Sequence, residues 1–232
     1  MEPYTLSFNP HLLRLLQKQF EAQIRPYLHQ NPHLLTGGTT HRLRHSDYSI
    51  YSYNTYPLLW VACANAKSQG AFQAFFDDIA PALETLFKDV LFTWQRLQLY
   101  GGFFVVGHHA ESELWHRDYF EDSNALTLLT PLFELDPRHG HLLYGKPDSP
   151  QRYVYTQGEA VFVDHKLGHC TEPYASAADP APLRVLLSLT FGGDDMRYWP
   201  AVKPILNSQS AYYLRPCGHS NQQKCFCYWR QQ

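Results

Sequence analysis

No stretch of this chain is apolar for long enough to span a bilayer, and its opening, Met1-Glu2-Pro3-Tyr4, does not begin a secretory signal. Charge of neither sign dominates. The formal net charge is −2, so nothing suggests a general attraction to nucleic acid or to anionic membrane. The single concentrated basic patch, His41-Arg42-Leu43-Arg44-His45, reads as a solvated loop. Cysteine is scarce and odd in number, five residues in 232, which argues against a disulfide framework. Repeats, low-complexity tracts and linkers are missing too, so no second domain is called for. These absences leave the expectation of one cytoplasmic domain over 1–232, with a helical support region at 1–93, a core at 94–193 and an extension at 194–232 that packs on the core.

Aromatic residues, in contrast, are plentiful. Tyr 16, Phe 14 and Trp 5 bring them to 15% of the chain, a composition suited to a barrel interior and an aromatic-lined pocket. From Ala125 onward, short apolar runs alternate with turn residues. Ala125 to Glu134 is followed by the turn Asp136-Pro137-Arg138-His139-Gly140, then by His141 to Gly145, Tyr153 to Tyr155, and Glu159 to Asp164 after Gln157-Gly158. Pro182 to Gly192 reads as a last strand. Short strands at regular spacing with Gly, Pro and Asp turns predict a sandwich or barrel. Upstream, Asn9 and Pro10 form a helix-start signal, and Leu12, Leu13, Leu15, Leu16, Phe20, Ile24 and Leu28 recur at helical spacing, predicting a helix over about 10–28. A second helical region is expected over about 68–90, interrupted or restarted at Pro81, and 47–56 reads as a further strand or a pocket-lining loop. Tyr198, Trp199, Tyr212 and Tyr213 are the expected anchors of the extension.

The chemistry concentrates in Trp115-His116-Arg117-Asp118, answered far downstream by Leu167-Gly168-His169-Cys170. On a strand, residues i and i+2 share a face, so His116 and Asp118 can offer a nitrogen and an oxygen to one metal ion. A second histidine completes three ligands on one side and leaves the other positions open, the arrangement associated with non-haem Fe(II) oxygenases. His-x-Asp alone is weak, because the chain holds 13 histidines and a solvated or hydrogen-bonded pair is the commoner explanation. His165 competes with His169, which is preferred because a turn at Lys166-Leu167-Gly168 returns the chain toward the barrel. Asp164 and His165 then fall at the strand's end. His108 and His109 are neighbours on a strand and point to opposite faces, so both cannot serve one metal.

The region from about Tyr100 to Gly193 resembles the double-stranded β-helix core of the Fe(II)- and 2-oxoglutarate-dependent dioxygenases, closest in texture to their prolyl-hydroxylase-like branch. The matching elements are His116-Arg117-Asp118, the strand ending at Leu135, Gly140 with Leu142, Gly158-Glu159-Ala160-Val161-Phe162, His169 with Pro173, and Arg184. The resemblance implies a mainly β (α+β) fold with flanking helices around a jelly-roll, cupin-like core. It implies Fe(II) on His116, Asp118 and His169, 2-oxoglutarate chelating the iron, and dioxygen as oxidant. Decarboxylation of 2-oxoglutarate to succinate and carbon dioxide would drive hydroxylation, or a related oxidation, of a C–H bond in a small molecule, an amino acid or a peptidyl side chain. Retention of Asp118 speaks for hydroxylation over halogenation, since the halogenating relatives carry a small residue there.

Arg184 supports the resemblance on physical grounds. It interrupts an apolar run, and a buried arginine needs an anion. The far carboxylate of 2-oxoglutarate would be a bidentate partner, and a structural ion pair with Asp or Glu is the plainer alternative. Relatives often carry Ser or Thr two residues after this arginine. Here that position is Leu186, with Ser188 and Thr190 next on the same face, so Ser188 is the expected second contact to the cosubstrate. In the tail, Cys217, His219, Cys225 and Cys227 could supply the four ligands of a structural zinc, against the alternative of free thiols. Two other functions fit the same residues: a cupin-like metal-binding protein that does not use 2-oxoglutarate, and a non-catalytic β-sandwich binding module whose His and Asp are incidental.

Overall fold

A computed structural model describes residues 2–35, 42–53, 56–93, 95–175 and 182–227. Its strands are β1 (Tyr4–Ser7), β2 (Arg42–Arg44), β3 (Tyr48–Tyr53), β4 (Tyr56–Cys63), β5 (Leu97–Gly107), β6 (His109–Ala110) and β7 (Ala125–Pro131). They continue with β8 (Leu142–Lys146), β9 (Ser149–Tyr153), β10 (Glu159–Val163), β11 (His169–Thr171), β12 (Tyr174–Ala175) and β13 (Arg184–Gly193). The main sheet has eight strands in the order β1-β10-β7-β13-β5-β4-β3-β2, and all its pairings are antiparallel. Opposite it lie a three-stranded sheet, β11-β8-β9, and a two-stranded one, β12-β6. From β5 to β13 the chain shuttles between the two layers, so β5, β7, β10 and β13 share the main sheet while the strands between them build the facing layer. That is a jelly-roll pattern, here a double-stranded β-helix with helices on its outer face.

The period-2 pattern of β13 explains how one strand serves two environments. Val185, Leu187, Leu189 and Phe191 face out into the core that the helices cover, while Arg184, Leu186 and Ser188 face in toward the second layer. Phe104 and Val106 of β5 face out in the same way, and Phe103 and Val105 face in.

The outer face is covered by two helical segments. The first begins at Asn9, whose side chain accepts from the His11 N–H at 3.0 Å, with Pro10 in the first turn. It runs through a 3₁₀ turn (Pro10–Leu13), α1 (Arg14–Gln19), a π turn (Phe20–Ile24) and α2 (Arg25–Gln30). Its buried stripe is Leu13, Leu16, Phe20, Ile24 and Leu28; of the other leucines at helical spacing, Leu12 is half-buried and Leu15 faces out. The second is α3 (Ala66–Phe87), which starts earlier than the apolar pattern alone suggests because Asn65 and Ser68 form a reciprocal capping box. Pro81 does not interrupt it. Pro81 lies on the exposed side, and Phe72, Phe75, Phe76, Ile79, Leu83 and Phe87 hold the helix to the sheet on either side of the missing hydrogen bond. At the crossing with β5, Gly102 admits the Phe72 ring: a Cβ there would stand 2.2 Å from Phe72 Cδ1.

Several expectations need correction. The region 1–93 is not only helical support, because it adds β1 to one edge of the main sheet and β4, β3 and β2 to the other. The segment 47–56 contributes strand β3, and residues 54 and 55 lie outside the described residues. Arg42–Arg44 is an edge strand, not a loop, while His41 lies outside the described residues. The strand expected to end at Leu135 stops at Pro131, which has no N–H with which to continue the ladder. Beyond Gly193 the chain forms α4 (Trp199–Gln209) and then a tail, with Trp199, Tyr212 and Tyr213 buried and Tyr198 half-buried. No described helix is long and apolar enough to cross a membrane.

Candidate active site

His116 is not on a regular strand. It forms a one-residue antiparallel bridge with His169 at the start of β11, and the chain then bends at Asp118. The bridge is reciprocal: each residue's N–H donates to the other's carbonyl, both at 3.0 Å. Two residues far apart in sequence are thereby set opposite one another by main-chain bonds alone, and their rings lie 4.4 Å apart between centroids. Asp118 returns between them, with Oδ1 at 3.4 Å from His116 Nε2 and 3.6 Å from His169 Nε2.

The outer nitrogens of the two rings are fixed in a matching way. His116 Nδ1 donates to the Leu114 carbonyl at 2.8 Å, and His169 Nδ1 donates to the Leu167 carbonyl at 3.1 Å. A carbonyl can only accept, so the Nδ1 atoms carry protons, and in the neutral form each ring turns a bare Nε2 lone pair toward the carboxylate. With both rings neutral, two lone-pair nitrogens and an anionic oxygen converge on one point, an arrangement suited to a cation between them. One donor atom from each of the three residues lies within 4.8 Å of the others, a set that can hold a metal ion. Backbone carbonyls on the second ring nitrogen are the usual means of orienting such ligands.

Electrostatics follow from the geometry. For His116, burial is the largest influence and acts downward, but the hydrogen bond and charge of Asp118 prevail and raise it above the ordinary histidine value. For His169, burial is again the largest influence, and here it wins, holding the ring below that value. Asp118 is pushed up most by burial, but His116, the charge of His169 and the Thr127 hydroxyl together keep it below the ordinary carboxylate range. The site is open on one side: the His116 side chain is 54% exposed, that of Asp118 17% and that of His169 5%.

The donors line a cavity of about 660 Å³ between the two layers. Its apolar wall includes Leu58, Trp60, Phe103 and Leu142, and Glu113 and Arg117 add charge of both signs. The same cavity receives Arg184 and Ser188 from β13. Arg184 is 1% exposed, its Nε donates to the Gly140 carbonyl at 2.6 Å, and its guanidinium carbon lies 5.5 Å from the Tyr155 ring centroid. Nη1 has no hydrogen-bond partner, and neither does Ser188 Oγ. No carboxylate pairs with Arg184 among the described residues, so the alternative of a structural ion pair finds no partner there. A buried cation facing a cavity without a counter-ion is costly, and an anionic ligand would remove that cost.

Other histidines fall outside this group. The Asp164 carboxylate accepts from the N–H groups of Lys166 and Leu167, at 2.8 and 2.9 Å, and so forms the turn that presents His169 while leaving His165 in the bend. His108 and His109 do not point to opposite faces. The chain bends at His108, and their rings touch, with Nε2 of His108 3.1 Å from Nδ1 of His109. The tail brings Cys217, His219, Cys225 and Cys227 together into a second set of donors within 4.8 Å of one another. Sequence reasoning did not identify Thr127 and Tyr155 as site neighbours, nor Ile205, Ser208 and Gln209 of α4, which line the cavity from outside the core. The alternation within β7 is the only signal that could have found Thr127. Nothing in the sequence fixes where α4 lies.

The site and fold define a class, a double-stranded β-helix with a His-Asp-His donor set at one end of its cavity. Solved structures match it. AviO1 from Streptomyces viridochromogenes has a TM-score of 0.51 at 16% identity, covering 82% of this chain and 88% of its own. EvdMO1 has the same score and identity, with 82% of this chain matched to 47% of its own. A Pseudomonas putida prolyl-4-hydroxylase gives 0.49 at 14% identity, covering 82% and 92%. AviO1 and EvdMO1 show a shared fold. No protein-family model matches the sequence, and no curated protein matches it.

Proposed function

We propose that the chain is an Fe(II)- and 2-oxoglutarate-dependent oxygenase. His116, Asp118 and His169 would hold the iron, and Arg184 with Ser188 would hold the far carboxylate of 2-oxoglutarate. A C–H bond of a small molecule, free amino acid or peptidyl side chain would be hydroxylated or otherwise oxidised. The observation that carries the reading is the shared cavity: a metal-type donor set and a buried guanidinium with no counter-ion among the described residues open onto the same space. A cupin-like metal protein has no use for the second feature, and a passive binding module has no use for the first.

Each residue's part follows from its surroundings. The carbonyls of Leu114 and Leu167 hold the imidazoles in the tautomer that presents Nε2. Arg184 offers a planar fork beside the Tyr155 ring, and its burial strengthens a charge-assisted pair with a carboxylate. Ser188, on the same face of β13, can donate to the same carboxylate. Iron would bring dioxygen and 2-oxoglutarate together and so supply the oxidising power that the side chains lack, dioxygen being the oxidant and 2-oxoglutarate leaving as succinate and carbon dioxide. Leu58, Trp60 and Phe103 give the remaining space an apolar wall suited to positioning one C–H bond and excluding water, which favours a small molecule over an extended chain. The cytoplasm is the compartment we assign.

Anaerobic calorimetry on the Fe(II)-loaded protein tests this. Saturable 2-oxoglutarate binding is expected that disappears without metal, and oxygen should then release succinate. His116→Ala, Asp118→Ala and His169→Ala should each lose iron while keeping the fold. Iron binding with no 2-oxoglutarate binding would leave the cupin-like reading, and neither would leave the binding module.

A further inference from the structure

The C-terminal tail carries little that could hold it by packing. Tyr212 and Tyr213 are buried and Leu214 packs against the core, but most of the described chain beyond them is polar, and Phe226 is 65% exposed. The backbone nevertheless makes a defined path. Tyr212 N–H donates to the Cys63 carbonyl at 3.1 Å and Leu214 N–H to the Tyr100 carbonyl at 2.7 Å, laying the tail along the core. Leu214 then bridges to Ser220, and the Arg215 and Gly218 N–H groups close a tight turn on the carbonyls of His219 and Arg215, both at 2.8 Å. Gly218, with φ 81°, takes the left-handed conformation that this turn needs.

That turn holds Cys217 and His219 together, and a second turn brings back Cys225 and Cys227. Cys217 Sγ lies 3.4 Å from both His219 Nδ1 and Cys225 Sγ, and Cys227 Sγ lies 3.8 Å from His219 Nδ1. A tetrahedral zinc with bonds of about 2.3 Å to sulfur and about 2.0 Å to nitrogen has donor–donor edges of about 3.5–3.8 Å. The Cys227 N–H donates to Cys225 Sγ at 3.4 Å, a bond that favours the thiolate form a ligand requires. A disulfide does not account for the cluster: 3.4 Å is far beyond the about 2.05 Å of an S–S bond, and all three thiols are free.

We infer that Cys217, His219, Cys225 and Cys227 bind one structural zinc ion, which fastens the tail against α4. Cys217 and Cys227 pack on the cluster that includes Tyr100, Trp199, Val202, Leu206 and Tyr213, so the clamp bears on the helix whose Ile205, Ser208 and Gln209 line the cavity. The site is closed and four-coordinate, in contrast to the open donor set of the cavity, and it stands independently of the proposed oxygenase activity.

The purified full chain, after mild chelation has removed iron, should retain about one zinc by elemental analysis. The His116→Ala/Asp118→Ala variant should keep it, whereas Cys217→Ser/Cys225→Ser should lose at least about nine-tenths of it, since half a ligand set holds the ion weakly. Because the cysteine variant could unfold the tail, wild-type protein with cobalt replacing zinc gives a second readout. Thiolate-to-cobalt charge-transfer bands and the intense visible absorption of a tetrahedral site are expected. Zinc lost with the cavity ligands, cobalt without thiolate bands, or a disulfide in protein prepared under reductant would each overturn the assignment.

Discussion

Arg184 and its neighbours decide the chemistry at the scale of single residues. A guanidinium left 1% exposed must be stabilised by something, and here Gly140 supplies one carbonyl and Tyr155 one ring face. Neither neutralises the charge. Arg184→Ala should therefore weaken 2-oxoglutarate binding by about 10- to 150-fold, from a charge-assisted pair worth on the order of 1.5–3 kcal/mol. Arg184→Lys should recover only part of that, because an ammonium lacks the fork, and iron affinity should barely move in either variant. Calorimetric titration of both ligands against both variants checks this. Equal 2-oxoglutarate affinity in the wild type and Arg184→Ala would remove Arg184 from the site.

Elements carry the positions of those residues, and two glycines show how tightly. In β5, Gly102 stands where α3 crosses the sheet, and an added methyl would meet Phe72 Cδ1 at 2.2 Å, Cγ at 2.5 Å and Cβ at 2.8 Å. Gly102→Ala should destabilise by about 1–3 kcal/mol, since Phe72 cannot yield without moving the helix. Gly70 lies on the exposed side of α3 itself, with nothing within 4 Å of an added Cβ. Gly70→Ala should stabilise by about 0.5–1 kcal/mol through helix propensity. Denaturant melts of the pair should move in opposite directions, and a shift of the same sign in both would contradict the packing described.

The same scale shows what could be read in advance. The Asn9-Pro10 start, the apolar stripe to Leu28 and the lone arginine in an apolar strand were legible because each rests on local chemistry or period. Continuity through Pro81 was not, because it depends on which way the proline faces and on the phenylalanines that pin the helix. His116 and Asp118 were legible as a pair but for an incomplete reason. A bend and one reciprocal bridge to His169, not a shared strand, bring them together.

Across the whole molecule, two donor sets sit in different mechanical settings. The cavity ligands belong to a bridge and sheet that main-chain bonds already hold, whereas the tail ligands would cross-link a polar segment held mainly by its own turn and side-chain hydrogen bonds. Stripping the protein with a strong chelator should accordingly raise amide exchange over 199–227 and leave β5 and β13 protected. Exchange measured by mass spectrometry checks this, and a uniform rise across both sheets would show that the metals support the core itself. The placement of α4 has a further consequence. The proposed iron and cosubstrate contacts come from the barrel and the bridge beside it, but Ile205, Ser208 and Gln209 come from a helix outside it. Lineages that diverge at those three positions would keep one oxidation while changing its guest. In the laboratory, a library confined to their codons should change which substrates are accepted while leaving iron and cosubstrate binding in place.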